Sequence, residues 1–215
     1  IDGAAASGTV STHLTDTIHT AQNVAAVTVD QLDDGELVIN GTTIGAADAK
    51  DDTDSDTTAL TSDAAASGIA VAAAINRSTD STGVTATVNA TTVTGGNGVD
   101  GTEVAATAGS AGSIYVNGVE TSGIVLTGNA DTDRTAALDA INAVSGQTGV
   151  VAEDNGVSLT LTAADGRNIS IAIDNQGSQA SPGAPGSFGL AIGLDEASEG
   201  IGEGDISNNA TLTAS

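Results

Sequence analysis

The chain has 215 residues and a formal net charge of −24, with 28 acidic side chains against four basic ones. It contains one Phe, one Tyr and no Trp, Met or Cys, so its core is built from Ala, Val, Ile and Leu without disulfides or thiolate metal sites. So acidic a surface repels phosphate backbones and anionic headgroups, which argues against nucleic acid and membrane as partners.

At 39% hydrophobic content a packed core is expected. Apolar residues alternate in runs such as GVTATVNATTV and GVSLTLTA, which argues against disorder and for strands. Small apolar side chains make thin layers, so several small strand-rich layers are expected rather than one large globule. No apolar stretch reaches the ~18 residues of a membrane helix. The first residues, IDGAAASGTV, show neither a Met nor a basic–apolar signal pattern, and the chain reads as a fragment or processed product.

In chain order, residues 1–32 hold one strand candidate, VAAVTV at 24–29, and both histidines. His13 and His19, with Asp16 between them, are six apart, which fits no zinc motif, so they read as exposed side chains. ELVINGTTIG at 36–45 reads as a strand entering an Asn-Gly turn. An aspartate-rich run, DAKDDTDSDTTALTSD at 48–63, follows. A helix is expected from about Asp63 to Arg77, with Gly68, Val71, Ala72 and Ile75 on one face. Val84, Ala86, Val88 and Ala90 then alternate as a strand.

The same order recurs. SIYVNGVETSG at 113–123 repeats the strand and Asn-Gly turn, and a helix is expected from about Thr132 to Val144, with Ala137, Leu138, Ile141 and Val144 on its apolar face. Val157, Leu159 and Leu161 alternate next, and Asp165-Gly166 leads into Ile169, Ile171 and Ile173, predicting a hairpin. AINRSTDSTGV at 74–84 matches AINAVSGQTGV at 140–150 at an offset of 66, whereas Ile39-Asn40-Gly41 matches Val116-Asn117-Gly118 at 77. The first copy therefore carries 11 more residues between strand and helix. Since GNADTDRT makes the same join in the second copy, the unit should fold without that acidic surplus. Both prolines sit in the linker QGSQASPGAPGS, followed by FGLAIGL and ATLT.

The expected fold is α+β, mainly antiparallel β with two short helices: two small repeated modules plus flanking strands. Residues 1–108 hold the first module (repeat copy 36–93), 109–175 the second (copy 113–173), and 176–215 a linker and returning strands. The flanks should pair with each other or with the modules, because isolated strands are unstable.

Asp52, Asp54, Asp56 and Asp63 fall at positions 1, 3, 5 and 12 of a helix-loop-helix calcium loop. Position 6 is Thr57 where Gly is needed, and position 12 is Asp rather than Glu. The run therefore reads as a solvated loop in which Ser62 and Asp63 cap the next helix, with calcium ligation as its alternative. HExxH, GxSxG and a phosphate-binding Gly-rich loop are absent from the sequence, and four basic residues are a poor inventory for stabilising an anionic transition state. No enzyme activity, catalytic residue, cofactor or metal is assigned. Asn-x-Ser/Thr triplets begin at Asn40, Asn76, Asn89, Asn168 and Asn209, mostly inside the repeat's own turns and strands, and read as coincidence in a Thr-rich chain.

The ordered unit ING…AIN…TGV, with AADGRNISI after its second copy, resembles the repeat in the variable central region of bacterial flagellins and some hook-associated proteins. It covers residues 36–93 and 113–173. The resemblance implies a structural, extracellular protein of the flagellum: outer domains on a filament, contacting neighbouring flagellin subunits and host or other surfaces. The long helical ends that build a flagellin filament core lie outside this sequence, so it should not polymerise alone. A calcium-dependent adhesin, or a filament-cap or hook-associated binding module, is the alternative, and a hydrolase inserted in such a chain a more distant one.

Overall fold

The structure, a computed structural model, describes residues 31–56, 62–95, 108–174 and 188–194. The strand expected at 24–29, both histidines, the proline-containing linker and Asn209 lie outside these residues. The described chain is α+β, with short helices against three small antiparallel sheets.

The first copy opens with the hairpin β1 (Val38–Ile39) and β2 (Thr42–Thr43). Its two-residue turn, Asn40-Gly41, has φ of 51° and 82°, the left-handed pair that matches strand twist and that Asn and Gly tolerate best. The helix begins as a 3-10 turn at Ala64–Ala66, breaks at the extended Ser67, and continues as α1 (Gly68–Asn76). The Ser67 hydroxyl accepts the Ala70 N–H at 3.1 Å, capping α1. A single turn, α2 (Thr79–Thr82), ends at Gly83 in the left-handed region. Ile44, Ala47, Ala70, Val71, Ala74 and Ile75 form the small core of this copy, with Leu32, Leu37, Ile39 and Ala86 at its margin.

The alternation over residues 84–90 does not produce a strand: the segment is an unpaired connection, and the strand comes later, at β3 (Thr91–Thr94). Its partner belongs to the second copy. That copy contains β4 (Ala111–Val116), β5 (Val119–Glu120), β6 (Ile124–Val125), α3 (Ala130–Ala143), α4 (Ser145–Thr148), β7 (Val150–Asp154), β8 (Leu159–Ala163) and β9 (Ile171–Asp174). The β3 strand lies against β8, with Val93 opposite Leu161 and Thr91 opposite Ala163, so the sheet order is β3-β8-β7.

The hairpin expected across Asp165-Gly166 is not formed. Instead β7 and β8 pair through the Asn155–Ser158 turn, and Gly166, at φ 80°, carries the chain to another sheet, where β9 pairs with β4. Alternation decides which face of a strand is apolar but not which strand lies beside it, and both sheets bury the Ile/Leu face in one core. That core joins Val93, Ile114, Val116, Ile141, Val150, Leu159, Leu161, Ile169 and Ile171, with α3 covering β7, β4 and β6.

Residues 188–191, expected among returning strands, form the helical turn α5 (Phe188–Ala191). The chain's single Phe enters the core here at 1% exposure. The backbone then continues the three-stranded sheet: Leu159 N–H donates to Gly193 O at 3.0 Å, while Gly95 N–H donates to Leu159 O at 2.9 Å. A Cβ at Gly95 would overlap the Gly193 carbonyl, so only glycine permits that approach.

Candidate functional site

The polar residues repeated in the two copies bond to backbone. Asn40 Nδ2 donates to Thr82 O at 2.8 Å and Asn117 Nδ2 to Thr148 O at 3.0 Å, tying each hairpin turn to the turn after the helix. Thr82 and Thr148 each accept, through Oγ1, the N–H two residues on, both at 3.1 Å. Asn76 bonds both backbone groups of Ala86, and Asn142 both of Ala152. The repeated signature is thus a set of clips that close strand, helix and following strand onto one another. It leaves none of its own side chains for chemistry.

The acidic run is more organised than a solvated loop. Asp48 caps the short 3-10 turn Ala49–Asp51 and pairs with Lys50, while Asp51 pairs with Arg77, whose Nη2 also donates to Ala46 O at 2.6 Å. Asp52 is 4% exposed and accepts the N–H groups of Asp54 and Ser55, each at 2.9 Å, and the Ser55 hydroxyl at 2.6 Å. Burial, the largest single influence, would raise its pKa, but hydrogen bonds from the Ser55 and Ser67 hydroxyls and the two amides outweigh it and hold the carboxyl below its ordinary value. Asp63 caps the 3-10 turn of the helix by accepting the Ala65 N–H at 2.9 Å, as its sequence position suggests. Among the described residues, no three His, Asp or Glu side chains are grouped so as to hold a metal ion.

The surplus residues of the first copy, expected to be dispensable, meet the second copy. Ser55 Oγ accepts the Asn168 N–H at 2.8 Å, and Asn168 Nδ2 donates to Asp63 O at 3.1 Å and Ser62 Oγ at 3.3 Å. Arg167 Nη1 donates to Asp54 O at 3.1 Å, with Nη2 3.7 Å from the Asp54 carboxylate. Asp165 holds the Arg167 guanidinium in place and, with the Asp54 and Asp52 charges, raises its pKa against desolvation. Gly166 sits against Val88 and Asn89 so closely that a Cβ would overlap both. Sequence reading missed Arg167 and Asn168. The signal for Arg167 was scarcity, since each of only four basic residues in so acidic a chain has carboxylates competing for it, whereas Asn168 stood out only as the start of an Asn-x-Ser triplet.

A second buried polar cluster starts α3. Asp133, 1% exposed, accepts the Thr127 N–H at 2.7 Å, the Thr127 hydroxyl at 2.8 Å and the Gly128 N–H at 3.2 Å. Arg134, 2% exposed, donates to Asp131 at 2.6 Å, to Asp154 at 3.2 Å and to Gly156 O at 3.2 Å, fixing the helix to the β7–β8 turn. Asp133 stands 66 residues after Ser67, so the two copies begin their helices with different polar groups at one position. All four Lys and Arg side chains pair with carboxylates.

Of the Asn-x-Ser/Thr triplets, Asn40, Asn76 and Asn168 have their amides in these clips, whereas Asn89 lies exposed in the unpaired connection. No helix among the described residues is long and apolar enough to cross a membrane. No protein-family model matches the chain, and no curated protein is significantly similar to it.

Proposed function

We propose that this chain is the outer, surface-exposed part of a bacterial flagellar filament subunit, an extracellular structural element without enzymatic activity. The observation that carries the reading is the duplicated clip: Asn-Gly turn, helix ending in Ala-Ile-Asn, and Thr-Gly-Val occur twice in the same order, with the same hydrogen bonds. Polar residues that recur because they close a fold suit a building unit better than a reaction centre. The role is mechanical and interfacial. Such a domain thickens the filament, sets what its surface presents to solvent, and contacts neighbouring outer domains, while a net charge of −24 keeps filaments from adhering to each other.

The alternative, a calcium-dependent adhesin or a cap or hook-associated module, draws on Asp52, Asp54, Asp56 and Asp63. Asp52 and Asp63 already direct carboxylate oxygens at their own loop's amides, which a calcium ion would have to displace. Antibodies raised against the 215-residue chain should decorate filaments sheared from the parent organism along their whole length in electron micrographs. Label confined to the filament tip or hook would favour the alternative; label on the cell wall alone would overturn the proposal.

A further inference from the structure

We infer that the acidic insertion is an intramolecular strap: by gripping Arg167 and Asn168 of the second copy, it keeps the first copy folded. The first copy's own core is too small for the task. Its six buried residues include three alanines, with Ile44, Val71 and Ile75 as the larger side chains. At about 0.8 kcal/mol per buried methylene, alanines contribute little against the entropy of ordering the chain around them. The second copy, by contrast, closes around Phe188 and a continuous Ile/Leu core.

The strap is a connected series of hydrogen bonds. Asn168 N–H donates to Ser55 Oγ, and the Ser55 hydroxyl donates to Asp52. Asp52 also accepts from Ser67, the residue that caps α1. The start of the first helix is therefore tied, through one buried carboxylate and one buried hydroxyl, to the backbone of the second copy. Asn168 adds a second grip on Asp63 O, at the start of the 3-10 turn, and Arg167 a third on Asp54 O. In the second copy, which lacks the insertion, Asp133 holds the strand-to-helix join by accepting from Thr127 and Gly128, and Arg134 ties the helix to the β7–β8 turn.

The test is hydrogen exchange, read by mass spectrometry on the full chain, for Ser55→Ala and Asn168→Ala. Amides of β1, β2 and α1 should exchange at least tenfold faster in both variants, while those of β7, β8 and α3 keep their protection. Equal loss in the two copies would overturn the strap, as would unchanged exchange in the first. Should Asn168→Ala not fold, Ser55→Ala alone decides, since it removes only the hydroxyl that relays Asn168 to Asp52.

Discussion

Asn142 holds Ala152 by both backbone groups, its Nδ2 donating to the carbonyl at 3.0 Å and its Oδ1 accepting the N–H at 2.8 Å. These groups point away from β8, so the amide takes the place of a neighbouring strand along the outer edge of β7. Ala152 is 3% exposed, and without Asn142 its donor and acceptor would be buried and unmet. Asn142→Ala should therefore cost about 2–6 kcal/mol, from two stranded groups at roughly 1–3 kcal/mol each. Asn76→Ala should cost less than about 1 kcal/mol, because water can replace the exposed pair with Ala86. Urea denaturation followed by circular dichroism measures both. Equal costs would mean that the edge-capping role does not depend on burial.

Gly83 and Gly149 end equivalent turns with φ of 68° and 71°, yet their surroundings differ. A Cβ at Gly83 meets nothing within 4 Å, whereas one at Gly149 overlaps the Arg167 guanidinium. Gly83→Ala should cost only the left-handed strain of about 1–2 kcal/mol. Gly149→Ala should cost at least ~1 kcal/mol more, by driving Arg167 off its position beside Asp165 and Asp54. In an Arg167→Ala background that excess should vanish, which thermal unfolding of the unmodified chain, the three single variants and the Gly149→Ala/Arg167→Ala double variant can establish. An excess that persists would place the strain in the backbone rather than in Arg167.

The local part of this fold is legible in the sequence. Asn-Gly requires two residues at positive φ, and Ile75 and Ile141 stand at helical spacing from Val71 and Ala137, so turns and helices follow from nearest neighbours alone. Pairing between distant segments is not legible. Asp165-Gly166 carries a tight-turn signal, and Gly166 does adopt φ 80°, but whether the chain turns back or crosses to another sheet depends on strands over 40 residues away. Alternation at 84–90 likewise marks β-compatible residues without supplying a partner. For the acidic run, the cap at Asp63 is local and is read correctly, whereas the contact of Ser55 with Asn168 spans 113 residues and leaves no periodic trace.

Asp52 gives the fold a pH dependence of definite sign. Its folded pKa lies below 3.8, the ordinary carboxylate value, because hydrogen bonds to the charged form outweigh the opposing effect of burial. A group depressed in this way stabilises the fold fully above its unfolded pKa, about 3.9, and loses that contribution as pH falls through the lower folded value. Asp165 adds a change of the same sign: burial opposes ionisation, and the Arg167 hydrogen bonds and charge more than offset it. Asp52→Asn removes the charged acceptor and should lower stability at pH 7 by about 1–3 kcal/mol. It also removes one acid-sensitive group, so the urea midpoints of Asp52→Asn and the unmodified chain should stay a constant distance apart from pH 7 to 5. Below pH 4 they should converge. The remaining carboxylates are common to both proteins and cancel in the comparison, so a gap that stays constant down to pH 3 would show that Asp52 has the same pKa folded and unfolded, and with it that the Ser55 and Ser67 hydrogen bonds give its charged form no net preference.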